Sequence, residues 1–309
     1  MTGTARDTPG NAGTEDAMRV RLAGAFVGAA VALVTIGSYG CGGGAPGGAA
    51  YVDKLPLPAD TMTVVMDELG KYGGRFVVGA TTSPKTFNPI MQNEQSSNDL
   101  TSLMFVALTD IDYRTQDDIP VIARSWEFSD GGRTVTFHMR RGACFSDGHP
   151  ITSDDVKFCF DVVMDSTLHP SMQDGLVMPV NSQRVPYTYS APDSYTFVVT
   201  SPAVDALLLS HVSNIRVMPR HVLEPAVKAG RFAAAYNTAT PPESLVTSGP
   251  WRVRSYLENQ QTVLARNPYW LGVDAKGRRL PYLDEVVFRV AKDQDAIAQM
   301  FHAGELDGL

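Results

Sequence analysis

The sequence is short of several things, and each shortage excludes a class of protein. Across 309 residues there are three cysteines, Cys41, Cys144 and Cys159, too few for a disulfide framework. Charged residues make up 19%, below the usual share of about 25%, while the hydrophobic share of 44% is ordinary, which excludes global disorder. Basic residues are outnumbered, 26 Lys+Arg against 33 Asp+Glu for a net charge of -7. That excludes the Lys/Arg footprint of a nucleic-acid binder. His138, His149, His169, His211, His221 and His302 fall at no HxxxH or CxxC-type spacing, so no metal site is expected. There is no GxSxG elbow and no phosphate loop. The acid pairs Asp117-Asp118 and Asp154-Asp155 are chain neighbours whose side chains point apart. No catalytic constellation and no cofactor are therefore expected. The apolar run Leu22 to Ile36 falls short of the ~20 residues a membrane span needs. No internal repeat is present.

What is there begins with an export signal. Arg19 and Arg21 precede the apolar run, and Gly37-Ser38-Tyr39-Gly40-Cys41 closes it, the pattern of a secretory signal peptide whose translation starts at Met18 rather than Met1. Gly40-Cys41 resembles a bacterial lipobox, although Ser38 and Tyr39 depart from its usual Leu and small residue. That resemblance implies export and a lipid anchor on Cys41, holding the protein on the periplasmic or cell-surface side of the membrane. Acyl chains contribute ~0.8 kcal/mol per buried CH₂, so several tether firmly. The alternative is an incidental cysteine near an ordinary cleavage site. Residues 1–40 are then leader and signal peptide, and 41–69 a linker, with Gly42 to Ala50 as a flexible leash.

The body mixes strands and helices. Val135, Phe137 and Met139 alternate with polar residues behind the turn Asp130-Gly131-Gly132, and with Trp126 and Phe128 they predict a β-hairpin. Thr152-Ser153-Asp154-Asp155 reads as a capping box opening a helix, whose apolar face carries Val156, Cys159, Phe160 and Val163. Further strands are predicted around Tyr195 to Val199, from Trp251, from Thr262 to Arg266, and around Val286 to Val290. Leu207 to Leu209 begin a helix or buried segment, and Asp293 to Ala303 a helix with Ile297, Met300 and Phe301 on one face and Gly304 as its stop. Trp126, Trp251 and Trp270 are read as core residues. His138 is read as a solvated histidine.

Several segments taken in order resemble one family. They are Gly73 to Gly79; Thr82-Ser83-Pro84-Lys85-Thr86-Phe87-Asn88-Pro89; Pro120 to Glu127; Phe145 to Val156; Ser248-Gly249-Pro250-Trp251; Arg266-Asn267-Pro268-Tyr269-Trp270; Pro281 to Asp284; and Gly304-Glu305-Leu306-Asp307. Together they are similar to the extracytoplasmic solute-binding proteins of ABC importers, family 5, the oligopeptide/dipeptide/nickel-binding class, in its N-terminal part. The resemblance implies a mixed α/β (α+β) fold, a periplasmic-binding-protein type II-like lobe with an inserted smaller β-rich domain. Residues 70–102 and 206–309 would form lobe one and 103–205 the insert, with the second lobe largely missing from this sequence. The chain is then either an N-terminal portion of a longer protein or a truncated relative.

The resemblance also implies a role: capturing a peptide or other small solute and delivering it to an ABC permease driven by its ATPase. Thr82, Ser83, Lys85, Thr86, Phe87 and Asn88 form the lobe-one segment expected along the ligand, where an extended backbone can pair with a peptide as an added strand. The ordinary alternative is a loop entering a strand. Export places Cys144 and Cys159 in an oxidising compartment, so they form either a disulfide or two buried thiols. An oligosaccharide or metal-chelate receptor of the same class, and a secreted hydrolase, remain as other readings of the chain.

Overall fold

The computed structural model describes Tyr51 and residues 53–308. The expected leader and the lipidation of Cys41 lie outside the described residues. From the N-terminus come a short strand β1 (Met62–Thr63), β2 (Arg75–Ala80), helix α1 (Gln95–Met104) and the hairpin β3 (Thr109–Ile111) to β4 (Asp118–Pro120). The strongest alternation in the sequence then forms β5 (Ala123–Ser129) and β6 (Thr134–Met139), with Val135, Phe137 and Met139 all buried. Their turn passes through Gly131 at φ 65° and Gly132 at φ 90°, a conformation glycine adopts without steric cost. Helix α2 (Ser153–Val163) opens on the expected capping box at Thr152, with the Asp155 carboxylate accepting the Thr152 N–H at 2.9 Å.

Next are β7 (Val177–Val180), β8 (Gln183–Pro186), β9 (Thr188–Asp193) and β10 (Thr196–Thr200), then α3 (Leu208–Ser213) and α4 (Arg220–Lys228). The chain continues through β11 (Trp251–Leu257), β12 (Gln261–Arg266), β13 (Gly272–Val273), β14 (Glu285–Val290) and α5 (Gln294–His302). Two four-stranded sheets organise these elements. One has the order β5-β6-β10-β9 and the other β11-β12-β14-β2. The first is antiparallel throughout, and the second ends in the parallel pair β14–β2. The fold is mixed α/β.

One hydrophobic cluster runs through both sheets, from Phe137, Phe160 and Phe197 to Val78, Trp251 and Phe288. A smaller cluster, built on Val77, Val263, Val287 and Ile297, joins the outer face of the second sheet to α5. Along helix α5, Ile297 is buried and Met300 packs on this cluster, whereas Phe301 is exposed. At 100° per residue, Ala296 and Met300 lie on one side of Ile297 and Phe301 on the other. The sheet covers the first side only. Trp251 and Trp270 are fully enclosed, whereas Trp126 is half-buried at the edge of the core.

Of the stretch read as linker, residues 53–64 run along the surface of the body and are tied to it. β1 pairs in parallel with β13. The buried Arg279 guanidinium meets Asp53 at 2.7 Å and donates to the Leu55 and Pro56 carbonyls at 3.2 and 2.9 Å. The Arg266 guanidinium lies 3.8 Å from the centre of the Tyr51 ring.

Candidate functional site

Ala80 and Val290, the carboxyl ends of β2 and β14, lie side by side. Open α/β sheets hold ligands outside such strand ends. The β11–β12 turn reaches the same rim: Gln260 O accepts from Val290 N at 2.8 Å, and Asn259 N donates to Ser83 Oγ at 2.8 Å. The loop leaving β2 is the segment singled out from sequence. In it Thr82 and Lys85 are exposed and Ser83 and Thr86 half-buried.

Phe87 and Asn88 of the same segment are both wholly buried, so their side chains face the interior. The Phe87 ring meets Tyr256 edge-on, with centroids 5.5 Å apart. Asn88 Oδ1 accepts from Ile90 N and Met91 N at 3.0 and 3.3 Å, and Nδ2 donates to the Phe232 and Ala235 carbonyls at 3.3 Å each. A buried polar side chain is tolerated when its capacity is used this fully.

Helix α1 holds the other side of the loop. Ser97 Oγ accepts from Lys85 N and Thr86 N at 3.0 and 3.1 Å, while Phe87 N donates to Tyr236 O at 2.8 Å. Three successive main-chain donors are thereby engaged within the chain, which narrows the edge open to an added strand. The Ser97 hydroxyl donates in turn to Glu94. Burial works against the charge on Glu94, but hydrogen bonds from Ser97, Ser96 and Lys85 outweigh it and hold the carboxyl below its usual range.

The same helix lines a cavity of about 310 Å³ between α1, the segment Phe105 to Tyr113 and α3 with the turn that follows it. Arg216 lines this cavity with Asn98, Ser102, Asp110 and Ser213. Its Nη1 donates to Asn98 Oδ1 and Thr101 Oγ1 at 3.2 and 3.1 Å, and its Nη2 to Asn98 Oδ1 at 3.2 Å. Burial pushes the guanidinium pKa down to about 10, partly offset by the charges of Asp110 and Tyr113.

The Ser-Gly-Pro-Trp motif sets this wall. Ser248 Oγ accepts from Val106 N at 3.2 Å and donates to Val217 O at 2.7 Å. Gly249 N donates to Met104 O at 2.8 Å, and a Cβ on Gly249 would come within 2.8 Å of that carbonyl. Sequence reasoning saw the motif but missed the cavity. The available signal was one charge, Arg216, inside the run Ile215-Arg216-Val217-Met218.

The remaining residues singled out from sequence lie elsewhere. Cys144 and Cys159 are free thiols. Cys159 is buried, its sulfur accepts from Met218 N at 3.1 Å, and burial raises its pKa. Cys144 Sγ donates to Gly142 O at 3.4 Å. His138 stands beside Glu127 at 3.5 Å, half-exposed. His221 meets Asp147 at 2.7 Å and stacks on His149 with centroids 3.9 Å apart, tying the turn before α2 to α4. Among the described residues no group of three or more His, Cys, Asp or Glu is placed to hold a metal ion. No described helix is long and apolar enough to cross a membrane.

Comparison with known proteins adds to this geometry. Residues 119–309 match the family described as bacterial extracellular solute-binding proteins, family 5 Middle. The chain is 31% identical over 229 residues to the "Probable ABC transporter-binding protein" of Deinococcus radiodurans, covering 72% of this chain and 38% of that one. It is 24% identical over 238 residues to the oligopeptide-binding protein AppA of Bacillus subtilis, covering 77% and 41%. Among solved structures it resembles the periplasmic binding protein MelB of Agrobacterium fabrum C58 in complex with stachyose. That likeness has a TM-score of 0.65 and 27% identity, and covers 76% of this chain and 37% of that one. The chain thus spans about two-fifths of the length of the curated relatives it matches.

Proposed function

The chain belongs to the family 5 bacterial extracellular solute-binding proteins, and from that premise we propose that it supplies one wall of the solute site in the binding component of an ABC importer. In this reading it captures a peptide outside the cytoplasmic membrane and presents it to a permease whose ATPase drives uptake. It catalyses nothing itself. The observation that carries the reading is the cavity around Arg216, opening beside a helix that also fixes the loop 81–88. Concave, largely pre-formed sites with a few convergent polar groups are how proteins hold small solutes. Thr82, Ser83, Lys85 and Thr86 are the loop residues that would reach the solute, and Phe87 and Asn88 hold the loop in place from below. Gly40-Cys41 after an apolar run supports a lipid anchor on Cys41.

A second reading, an oligosaccharide in place of the peptide, is favoured by the likeness to the MelB–stachyose complex. Titration calorimetry with tri- to pentapeptides and with stachyose separates the two. The peptide reading expects heat from the peptides and none from the sugar. Heat from stachyose alone supports the second reading, and silence from both defeats the reading that this wall holds a solute by itself.

A further inference from the structure

The strap that leads into β1 is tied to both halves of the body. On the side of the second sheet, the Tyr51 ring lies on the Arg266 guanidinium, with its centre 4.9 Å from that of the Tyr72 ring. The buried Arg279 guanidinium then grips Asp53 and the Leu55 and Pro56 carbonyls. On the side of the insert, Arg140 Nη1 donates to Thr61 O at 2.9 Å, and Arg141 N to Asp60 Oδ2 at 3.4 Å. Arg124 stands 3.9 Å from the same Asp60 carboxylate. Met62 N and Val64 N close the run on Leu271 O and Val273 O, at 3.1 and 2.8 Å. Bonds from charged donors are the stronger kind, and the buried Arg140 and Arg279 supply them toward both ends of the strap. Only Gly42 to Ala50 therefore separate Cys41 from the first tied residue. A chain reaches at most ~3.3–3.6 Å per residue, so this stretch spans roughly 35 Å when fully drawn out.

Resting on the lipid-anchor reading above, we propose that residues 51–64 are a clasp that sets how far the body stands from the membrane and which side of it faces the lipid. With the clasp shut, a lipid on Cys41 holds Tyr51 within roughly 35 Å of the bilayer. A flexible leash of this length has a mean span of about 18 Å, no more than the radius of gyration of a body of about 250 residues. The side carrying Tyr51, Tyr72 and Arg266 is therefore the one turned toward the lipid. With the clasp open, the leash grows from about ten residues to about 24, and its full reach rises in proportion. Effective concentration falls as roughly the −3/2 power of linker length, so opening dilutes the body at a permease in the same membrane about fourfold.

The test uses the full chain, expressed with its signal peptide and purified from membranes. An alkynyl palmitate label on Cys41, absent in Cys41→Ser, checks the anchor by itself. Neutron reflectometry on a supported bilayer of phosphatidylethanolamine and phosphatidylglycerol then reads the gap between headgroups and body. The gap is expected to stay below roughly 35 Å. It is expected to widen when about 14 Gly/Ser residues are inserted between Ala50 and Tyr51, a change that touches no tie of the clasp. Trypsin provides the second readout, since Lys54 is the first basic residue after Cys41 and lies inside the clasp. Cleavage there is expected to run about tenfold faster in Asp53→Ala, which removes one charge-assisted bond, and at an unchanged rate in the insertion variant. A labelled chain whose gap ignores the insertion, or whose Lys54 is cut equally fast with and without Asp53, would overturn the clasp and leave the anchor standing. Absence of label on Cys41 would overturn both.

Discussion

Asn88 uses both ends of its amide on backbone groups from two parts of the chain far apart in sequence. Replacing it by alanine strands the Ile90 and Met91 N–H groups and the Ala235 carbonyl, while Phe232 O keeps the Ala235 N–H, at about 1–3 kcal/mol for a buried group left unsatisfied. Asn88→Ala is therefore expected to lower the urea midpoint with little change in slope. Ser97→Ala acts more locally. It frees Lys85 N and Thr86 N, so hydrogen exchange at those two amides is expected to speed up while the rest of the molecule keeps its protection. Glu94 makes the same contact sensitive to pH. Its folded pKa lies below the unfolded one, so its contribution is present at neutral pH and is lost as pH falls through the folded value. Acidification into that range is expected to release Lys85 and Thr86 before the core unfolds, and Glu94→Gln to release them already at pH 7. Exchange at those amides that is independent of pH, once intrinsic rates are divided out, would contradict this role for Glu94.

At the scale of elements, legibility followed how regular each pattern is. Strand β6 buries Val135, Phe137 and Met139 at strict period two, and α2 starts at a four-residue capping signal, so both could be read directly. Helix α1 could not. Its buried positions include the small polar residues Ser97, which bonds to the loop, Thr101, which accepts from Arg216, and Ser102, which donates to Asp99 O in its own helix, and no hydrophobic period marks them. The β7–β8 hairpin is hidden by Pro179 and Pro186, which read as breakers but sit in a two-stranded sheet. The N-terminal strap was hidden for a different reason. Its sequence looks like linker, and its place is fixed by a distant partner, Arg279. Deleting residues 51–64 removes the Asp53 carboxylate and the Leu55 and Pro56 carbonyls from that guanidinium and leaves it the Trp270 carbonyl, a change that costs at most about 3–5 kcal/mol, the cost of a broken buried pair. Arg279→Met in the same deletion is expected to recover part of the loss, because a buried thioether needs no counter-charge. Equal stability of the deletion and the intact chain in guanidinium titration would show that the strap contributes nothing.

For the molecule as a whole the question is whether two sheets make two folding units. The inserted β5-β6-β10-β9 sheet looks separate on topology, since all its strands fall between Ala123 and Thr200. Packing argues otherwise. The same buried cluster contains Phe137, Phe160 and Phe197 from the insert side and Val78, Trp251 and Phe288 from the other sheet. Helix α4 rests on α2, and the pairing of His221 with Asp147 crosses the same boundary. Neither sheet can lose its partner without exposing that shared interior, and a cooperative unit is defined by such sharing. The tryptophans provide probes on both sides: Trp126 stands on β5, whereas Trp251 begins β11 and Trp270 follows β12. Trp126→Phe leaves fluorescence from the second side only, and a Trp251→Phe/Trp270→Phe double variant leaves it from the first. Each variant is expected to unfold at one midpoint whether followed by its remaining tryptophans or by far-UV circular dichroism, with a calorimetric to van't Hoff enthalpy ratio near one. Helix α5 is the expected exception, since it is held by a small cluster on the outer sheet face. Its amides should exchange through a local opening of lower free energy than the global one. If fluorescence and circular dichroism separate within a single variant, the cluster is continuous in space but not in energy, and the two sheets are independent folding units that happen to touch.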